Sequence, residues 1–169
     1  MPYHLLMADK SMDQLRALLK SYEERTAKLQ VAVKPVHDEG ERRRRACGER
    51  LKTVVRGVLE RFMDALKNAG HEAAIEDRTD SADAYPSVTL AFTPRLAGGG
   101  RAALRSLLVF RYDPRRGIAV ARDIKPSPTK GRVVTSSTDR IGTMKVEAVT
   151  VEWVETKTLS FIETVLQVN

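Results

Sequence analysis

The chain has 169 residues and a formal charge of +7, and 42% of its residues are apolar, 30% charged and 5% aromatic. This apolar content excludes a disordered chain, and the length suits one domain with a helical extension. No stretch reaches the roughly 18 consecutive apolar residues of a membrane-spanning helix, so no membrane partner is expected. The single cysteine, Cys47, cannot form an internal disulfide and no secretory leader pattern is present, which predicts a cytoplasmic protein.

The first predicted element is a helix with Ser11 as its N-cap. Apolar or neutral side chains recur along it in alternating steps of four and three, which is the heptad spacing of a coiled coil. They are Leu15, Leu19, Tyr22, Thr26, Leu29, Val33 and Val36. Because so narrow a stripe is buried only against another helix, the predicted helix-association seam is Leu15, Leu19, Tyr22, Leu29 and Val33.

Pro35 is expected to interrupt this helix, because proline lacks the backbone N–H that an interior helix position needs. Asp38 and Glu41 have the spacing of a capping box, so a second helix is predicted over 38–69. Pro35 can either open a tight helical hairpin or kink one long rod. The hairpin is the preferred interpretation.

Downstream of Gly70, the expected left-handed cap of the second helix, apolar and polar residues alternate with the period of β-strands. Five strands are predicted, at 72–77, 87–93, 104–112, 117–124 and 132–137. A proline and a glycine within 113–117 predict a hairpin between the third and fourth strands. A last helix is predicted over 150–167.

These elements predict an α+β fold with two N-terminal helices, forming an arm or a helical hairpin, and a mainly antiparallel sheet of about five strands. The C-terminal helix is expected to pack on the sheet. The predicted division is an N-terminal helical arm over 1–37 with a heptad-like seam, and an α+β domain over 38–169. Within that domain the meander is expected to occupy 72–137.

The middle of the chain is strongly basic, with ten Lys and Arg residues against two Asp between Thr93 and Arg132. Strand alternation places bulky apolar residues on one face and arginines among small residues on the other. The predicted surface for an anionic partner is Arg105, Arg111, Arg115, Arg116 and Arg122. Phe110 and Tyr112 alternate onto the apolar face, so this surface lacks the aromatic side chains that stack nucleic-acid bases.

A second basic patch is the run Arg42, Arg43, Arg44 and Arg45. Successive helix residues are about 100° apart, so the four side chains surround the helix and cannot all face one ligand. Glu41 and Glu49 lie four residues from Arg45, which is the spacing of ion pairs on a helix surface. A solvated, ion-paired face is therefore preferred over a contact for an acidic partner or for nucleic acid.

The sequence contains no convincing catalytic or metal-binding pattern, so no metal, no cofactor and no enzymatic activity are expected. His37 and Cys47 are ten positions apart, about 15 Å along a helix, which is too far to share a metal ion. The glycines at 98–100 lack the lysine and the strand–turn–helix context of a phosphate loop. The acidic run beginning at Glu76 lacks the spacing of a calcium loop.

The expected function is that of a non-enzymatic interaction or assembly protein, such as an adaptor, a chaperone-like protein or a structural subunit. It would self-associate through its N-terminal helices and present a basic sheet surface to an acidic protein. The alternative is a nucleic-acid-binding protein that uses the basic region 93–132 and the run Arg42–Arg45. A third hypothesis is an enzyme or small-ligand domain with a pocket between the sheet and the last helix, lined by Tyr112, Trp153 and Arg122.

Overall fold

A computed structural model describes residues 2–80, 85–96, 103–127 and 137–169. Within these ranges the side chains of 2–9, 29–37 and 137–138 are outside the description. The chain divides into two compact units, Met1–Arg42 and Arg43–Asn169.

The first helix, α1, is Pro2–Arg50, a single α-helix of 49 residues. Three sequence predictions are therefore wrong: Ser11 is not an N-cap, Asp38 does not start a new helix, and the hairpin at Pro35 does not form. Pro35 removes only one backbone hydrogen bond, and the turn-forming residues Asp38 and Gly40 that follow it do not end the helix. The helix thus continues at a local cost of about 3 kcal/mol.

A π-helical turn, Leu51–Val55, connects α1 to the second helix, α2, Arg56–Asn68. The backbone N–H of Arg56 donates to the carbonyl oxygen of Leu51, five residues back, which defines this wider turn. α2 ends at the predicted cap, since Gly70 has φ +90°. The N–H groups of Gly70 and His71 bond back to the last turn of α2, as in a Schellman motif.

Five strands form one antiparallel sheet in the order β1-β2-β3-β4-β5. Their bounds are Glu72–Asp77, Ser87–Thr93, Ser106–Asp113, Gly117–Ile124 and Ser137–Met144. The first four agree with the predicted strands to within two residues. Tyr112 pairs with Ile118 and Asp113 with Gly117, so the predicted hairpin between β3 and β4 is confirmed.

The fifth strand lies later than its predicted range of 132–137, of which 132–136 are outside the described residues. Val120 pairs with Gly142 and Ala121 pairs with Arg140, which leaves Ile141 as the extra residue of a β-bulge. A bulge breaks the apolar–polar alternation that identifies a strand in sequence. The alternation of apolar and polar residues therefore does not identify β5 in the sequence.

The third helix, α3, Val151–Val168, packs on the same face of the sheet as α2 and the π-helical turn. Thr150 caps it by accepting a hydrogen bond from the N–H of Trp153. The core between helices and sheet buries one side of β2, β3 and β4, with Phe92, Phe110 and Phe161 among its largest fully buried side chains. The α+β class is confirmed, and none of the described helices has both the length and the apolar character needed to cross a membrane.

Candidate interaction surfaces

The α1 stripe is an exposed row of large apolar side chains near the start of the long helix. The predicted seam residues Leu15, Leu19 and Tyr22 expose 45%, 53% and 62% of their surface. Met12, three positions before Leu15, and Leu18, beside Leu19, are also exposed. An isolated exposed leucine is ordinary, but five such residues within three turns form a continuous patch.

The seam positions Leu29 and Val33 lie on α1, but their side chains are outside the described residues. Between them and Tyr22, the Thr26 hydroxyl donates to the Tyr22 carbonyl oxygen at 2.8 Å, so its polar group is satisfied within the helix. A second helix can therefore cover Thr26 without leaving its hydroxyl unpaired.

The outer face of the sheet is the side opposite the helices, and small or medium-sized residues cover it. Arg111 stands there with Ser87 and Ala119 as its cross-strand neighbours. The described strand residues place no aromatic side chain on this face. Other members of this face in β2, β3 and β4 include Thr89, Ala91, Leu107, Val109, Ala121 and Asp123.

Four of the five arginines predicted for an anionic partner are exposed: Arg105 before β3, Arg111 on the outer face, and Arg115 and Arg116 in the β3–β4 turn. None of these four forms a side-chain ion pair within the described part of the chain. Arg105 does not share a patch with Arg115 and Arg116, because the whole length of β3 lies between them.

Arg122 does not belong to that surface, which corrects the prediction. It is on the helix side of the sheet, where its guanidinium donates to Asp139 at 3.2 Å and to the hydroxyl of Thr164 on α3 at 3.1 Å. The prediction missed this because Asp139 belongs to the unrecognised β5. Arg122 links sheet and helix, with its charge already balanced.

The run Arg42–Arg45 lies within α1, and the boundary between the two compact units falls after Arg42. Arg43, Arg44 and Arg45 all take part in interactions, so they are not free cations. Arg44 is half-buried while the other three are exposed. The four arginines therefore differ in exposure, and at least three of them already have an interaction within the chain.

The basic cleft is an open cavity of about 1140 Å³ in the second unit. Arg43 and Arg50 of α1, the β3–β4 turn with Arg115 and Arg116, and Lys145 after β5 line it. Arg50 is anchored, because its guanidinium donates twice to the carbonyl oxygen of the buried Val149, at 3.1 and 2.6 Å.

Of the three residues predicted for a small-ligand pocket between the sheet and the last helix, not all line the basic cleft. Tyr112 lines it, whereas Trp153 packs edge-on against Phe110 with ring centroids 6.0 Å apart, and Arg122 is bound as described above. His71 accepts a hydrogen bond from the N–H of Arg95 at 2.8 Å, which is a structural role. In the described ranges no group of three or more His, Cys, Asp or Glu side chains is placed to hold a metal ion.

The acidic run after β1 also has a structural role. Asp77 accepts hydrogen bonds from the N–H and the hydroxyl of Thr79 and pairs with Arg56 at 2.5 Å. Burial of the Asp77 carboxyl opposes ionisation, but these hydrogen bonds and Arg56 outweigh it and lower its pKa. Asp77 thereby ties the end of β1 to α2.

Sequence reasoning missed Met12, Leu18 and Lys145. Met12 continues the heptad spacing backwards from Leu15, and the wrong N-cap at Ser11 concealed it. Lys145 carries no local signal, because only the true position of β5 brings it to the cleft. No protein-family model matches the chain, and neither a curated protein nor a solved structure is significantly similar to it.

Proposed function

We propose that this protein is a non-enzymatic assembly protein that self-associates through α1 and presents its sheet domain to an acidic protein partner. The observation that carries the proposal is the α1 stripe, Met12, Leu15, Leu18, Leu19 and Tyr22, exposed on one helix. The single, buried Cys47 suits a reducing compartment, which supports a cytoplasmic location.

The size of the stripe predicts a reversible association. Full burial of a leucine-sized side chain is worth about 1.5–3 kcal/mol, and about half of that remains to be gained for a half-exposed one. Five such side chains on each of two chains therefore contribute roughly 10 kcal/mol. Association itself costs about 4–15 kcal/mol, so further layers at Leu29 and Val33 decide how stable the pair is.

Charge favours an antiparallel pair of α1 helices. With Leu19 and Tyr22 as seam positions, Arg16 and Glu23 both directly follow a seam residue, where charged side chains flank a coiled-coil interface. In an antiparallel pair centred between Leu19 and Tyr22, each Arg16 lies beside the Glu23 of the other chain. The pairing is symmetric, so two such ion pairs form.

A parallel pair lacks this complementarity. In that orientation Leu18 would face Glu23 of the other chain and Arg25 would face Gln30, so no opposite charges meet. Arg16 is available for the antiparallel contact, because its pair with Asp13 is 3.9 Å long and both side chains are exposed. Such an exposed pair is worth little.

The test compares two double variants of equal charge by sedimentation velocity. Leu15→Glu with Leu19→Glu places carboxylates in the seam, whereas Gln14→Glu with Ser21→Glu places them on the exposed side of the same helix. We expect the first variant to sediment as a monomer and the second to associate like the unmodified chain. Equal association of both variants would reject the stripe as the interface.

A further inference from the structure

The basic cleft has the features of a binding site that is distinct from the α1 stripe. It lies entirely within the unit Arg43–Asn169, where the end of α1, the β3–β4 turn and the link between β5 and α3 line it. Its volume of about 1140 Å³ exceeds the range of about 300–1,000 Å³ that is usual for small-molecule pockets. The cleft therefore suits a segment of another chain better than a metabolite.

Among the residues that the structure describes, the walls of the cleft carry five basic and two acidic ones. Arg115, Arg116 and Lys145 are exposed, and no ion pair is formed by any of them with the described residues. Of the acidic pair, Asp113 already accepts a hydrogen bond from the N–H of Arg115 at 2.9 Å. Only Glu147, which is exposed, offers an uncommitted negative charge.

Most of the remaining lining residues are apolar, among them Ala46, Pro114, Met144 and Val146, and Thr143 adds a hydroxyl. Within the described part of the chain, Tyr112 is the sole aromatic residue that lines the cleft, and only 6% of its surface is exposed. Single-stranded nucleic acid is bound through exposed aromatic faces as well as cations, and those faces are missing from this cleft. Apolar walls with unpaired cations at the rim instead match a peptide with both acidic and apolar side chains.

We infer that the basic cleft binds an acidic peptide segment of a partner protein. Carboxylates of the segment pair with Arg115, Arg116 and Lys145, while its apolar side chains cover Met144 and Val146. This inference deepens the second half of the proposed function by naming the site and the chemistry of the partner. It does not depend on self-association through α1.

The test measures fluorescence anisotropy of a labelled synthetic peptide in which glutamates alternate with serine and leucine, titrated with the full-length protein. Arg115→Glu with Arg116→Glu reverses the charge at the cleft. Arg105→Glu with Arg111→Glu makes the same change at exposed, unpaired arginines that do not line it. Circular dichroism verifies that both variants are folded, and sedimentation shows whether each one self-associates.

We expect the cleft variant to weaken peptide binding at least about tenfold, because attraction becomes repulsion at two positions. The matched control should lose much less. Glu147→Lys should strengthen binding, an effect that a purely structural role of the turn would not produce. Equal losses in both double variants would show that the peptide is attracted to positive charge in general. If a single-stranded oligonucleotide bound the cleft more tightly than the peptide does, the cleft would be assigned to nucleic acid. Either result overturns the inference.

Discussion

Gly117 closes the β3–β4 turn with φ +105°, a backbone conformation that side chains with a Cβ rarely adopt. A Cβ there would also lie against the carbonyl oxygen of Met144 and 2.9 Å from the Cα of Lys145. Proline and glycine in 113–117 predicted this turn, because its requirements are local. The ion pair of Arg122 with Asp139, in contrast, could not be predicted, because Asp139 lies in β5 and the bulge in β5 breaks the alternation that identifies a strand.

Replacing Gly117 by alanine should lower the free energy of unfolding by at least about 2 kcal/mol, from backbone strain and the close approach of Met144. Gly57→Ala is the matched control, because Gly57 lies in α2 with φ in the helical range and open space around it. It should raise the free energy of unfolding by about 0.5–1 kcal/mol. Urea denaturation measures both, and similar effects of the two substitutions would contradict the turn geometry.

Cys47 is fully buried, and loss of hydration raises the pKa of its thiol from 9.0 to about 12. A thiol reagent at pH 8 should therefore label the native protein at least about a hundredfold more slowly than the urea-unfolded protein. Above pH 9.0 the unfolded thiol loses its proton while the folded one keeps it, so this group reduces stability as pH rises toward 12. Equally fast labelling of native protein would show that Cys47 is accessible.

At the scale of whole elements, the sequence predicts what each segment is better than where it ends. The α1 stripe was recognised because heptad spacing persists over several turns, but Ser11, Pro35 and Asp38 suggested helix ends that the structure does not have. Capping residues and proline only favour a boundary. The helix α1 continues past all three residues and past Gly40.

Cysteine cross-linking tests the antiparallel orientation of α1. In that arrangement Met12 faces Leu29 of the other chain, whereas two copies of Met12 are about 25 Å apart along the axis, beyond disulfide reach. We expect a mixture of Met12→Cys and Leu29→Cys chains to form a disulfide-linked pair under mild oxidation. Each variant alone should not.

Native Cys47 is buried and should not interfere with this cross-linking. Efficient cross-linking of each variant with itself would indicate a parallel pair.

A charge exchange tests the ion pairs between Arg16 and Glu23 of the two chains. Arg16→Glu should weaken association, and adding Glu23→Arg should restore it, since the exchange recreates the two opposite charges.

At the scale of the whole molecule, the class and strand order could be predicted, whereas the meeting of distant segments could not. Alternation identified four strands and their order in a meander. The basic cleft combines α1, the β3–β4 turn and the link after β5, three segments far apart in sequence. No local pattern predicts that Arg116 and Lys145 line one cavity. The sequence alone therefore predicts a basic surface on the sheet as the site for an anionic partner.

Sedimentation equilibrium of the unmodified full-length chain, over a wide range of protein concentration, tests the central claim most directly. The claim is that the exposed α1 stripe is covered by a second copy of the chain. We predict that the weight-average mass rises with concentration from the monomer value of 18.9 kDa toward twice that value. A mass that stays at 18.9 kDa up to the highest soluble concentration would contradict self-association through α1.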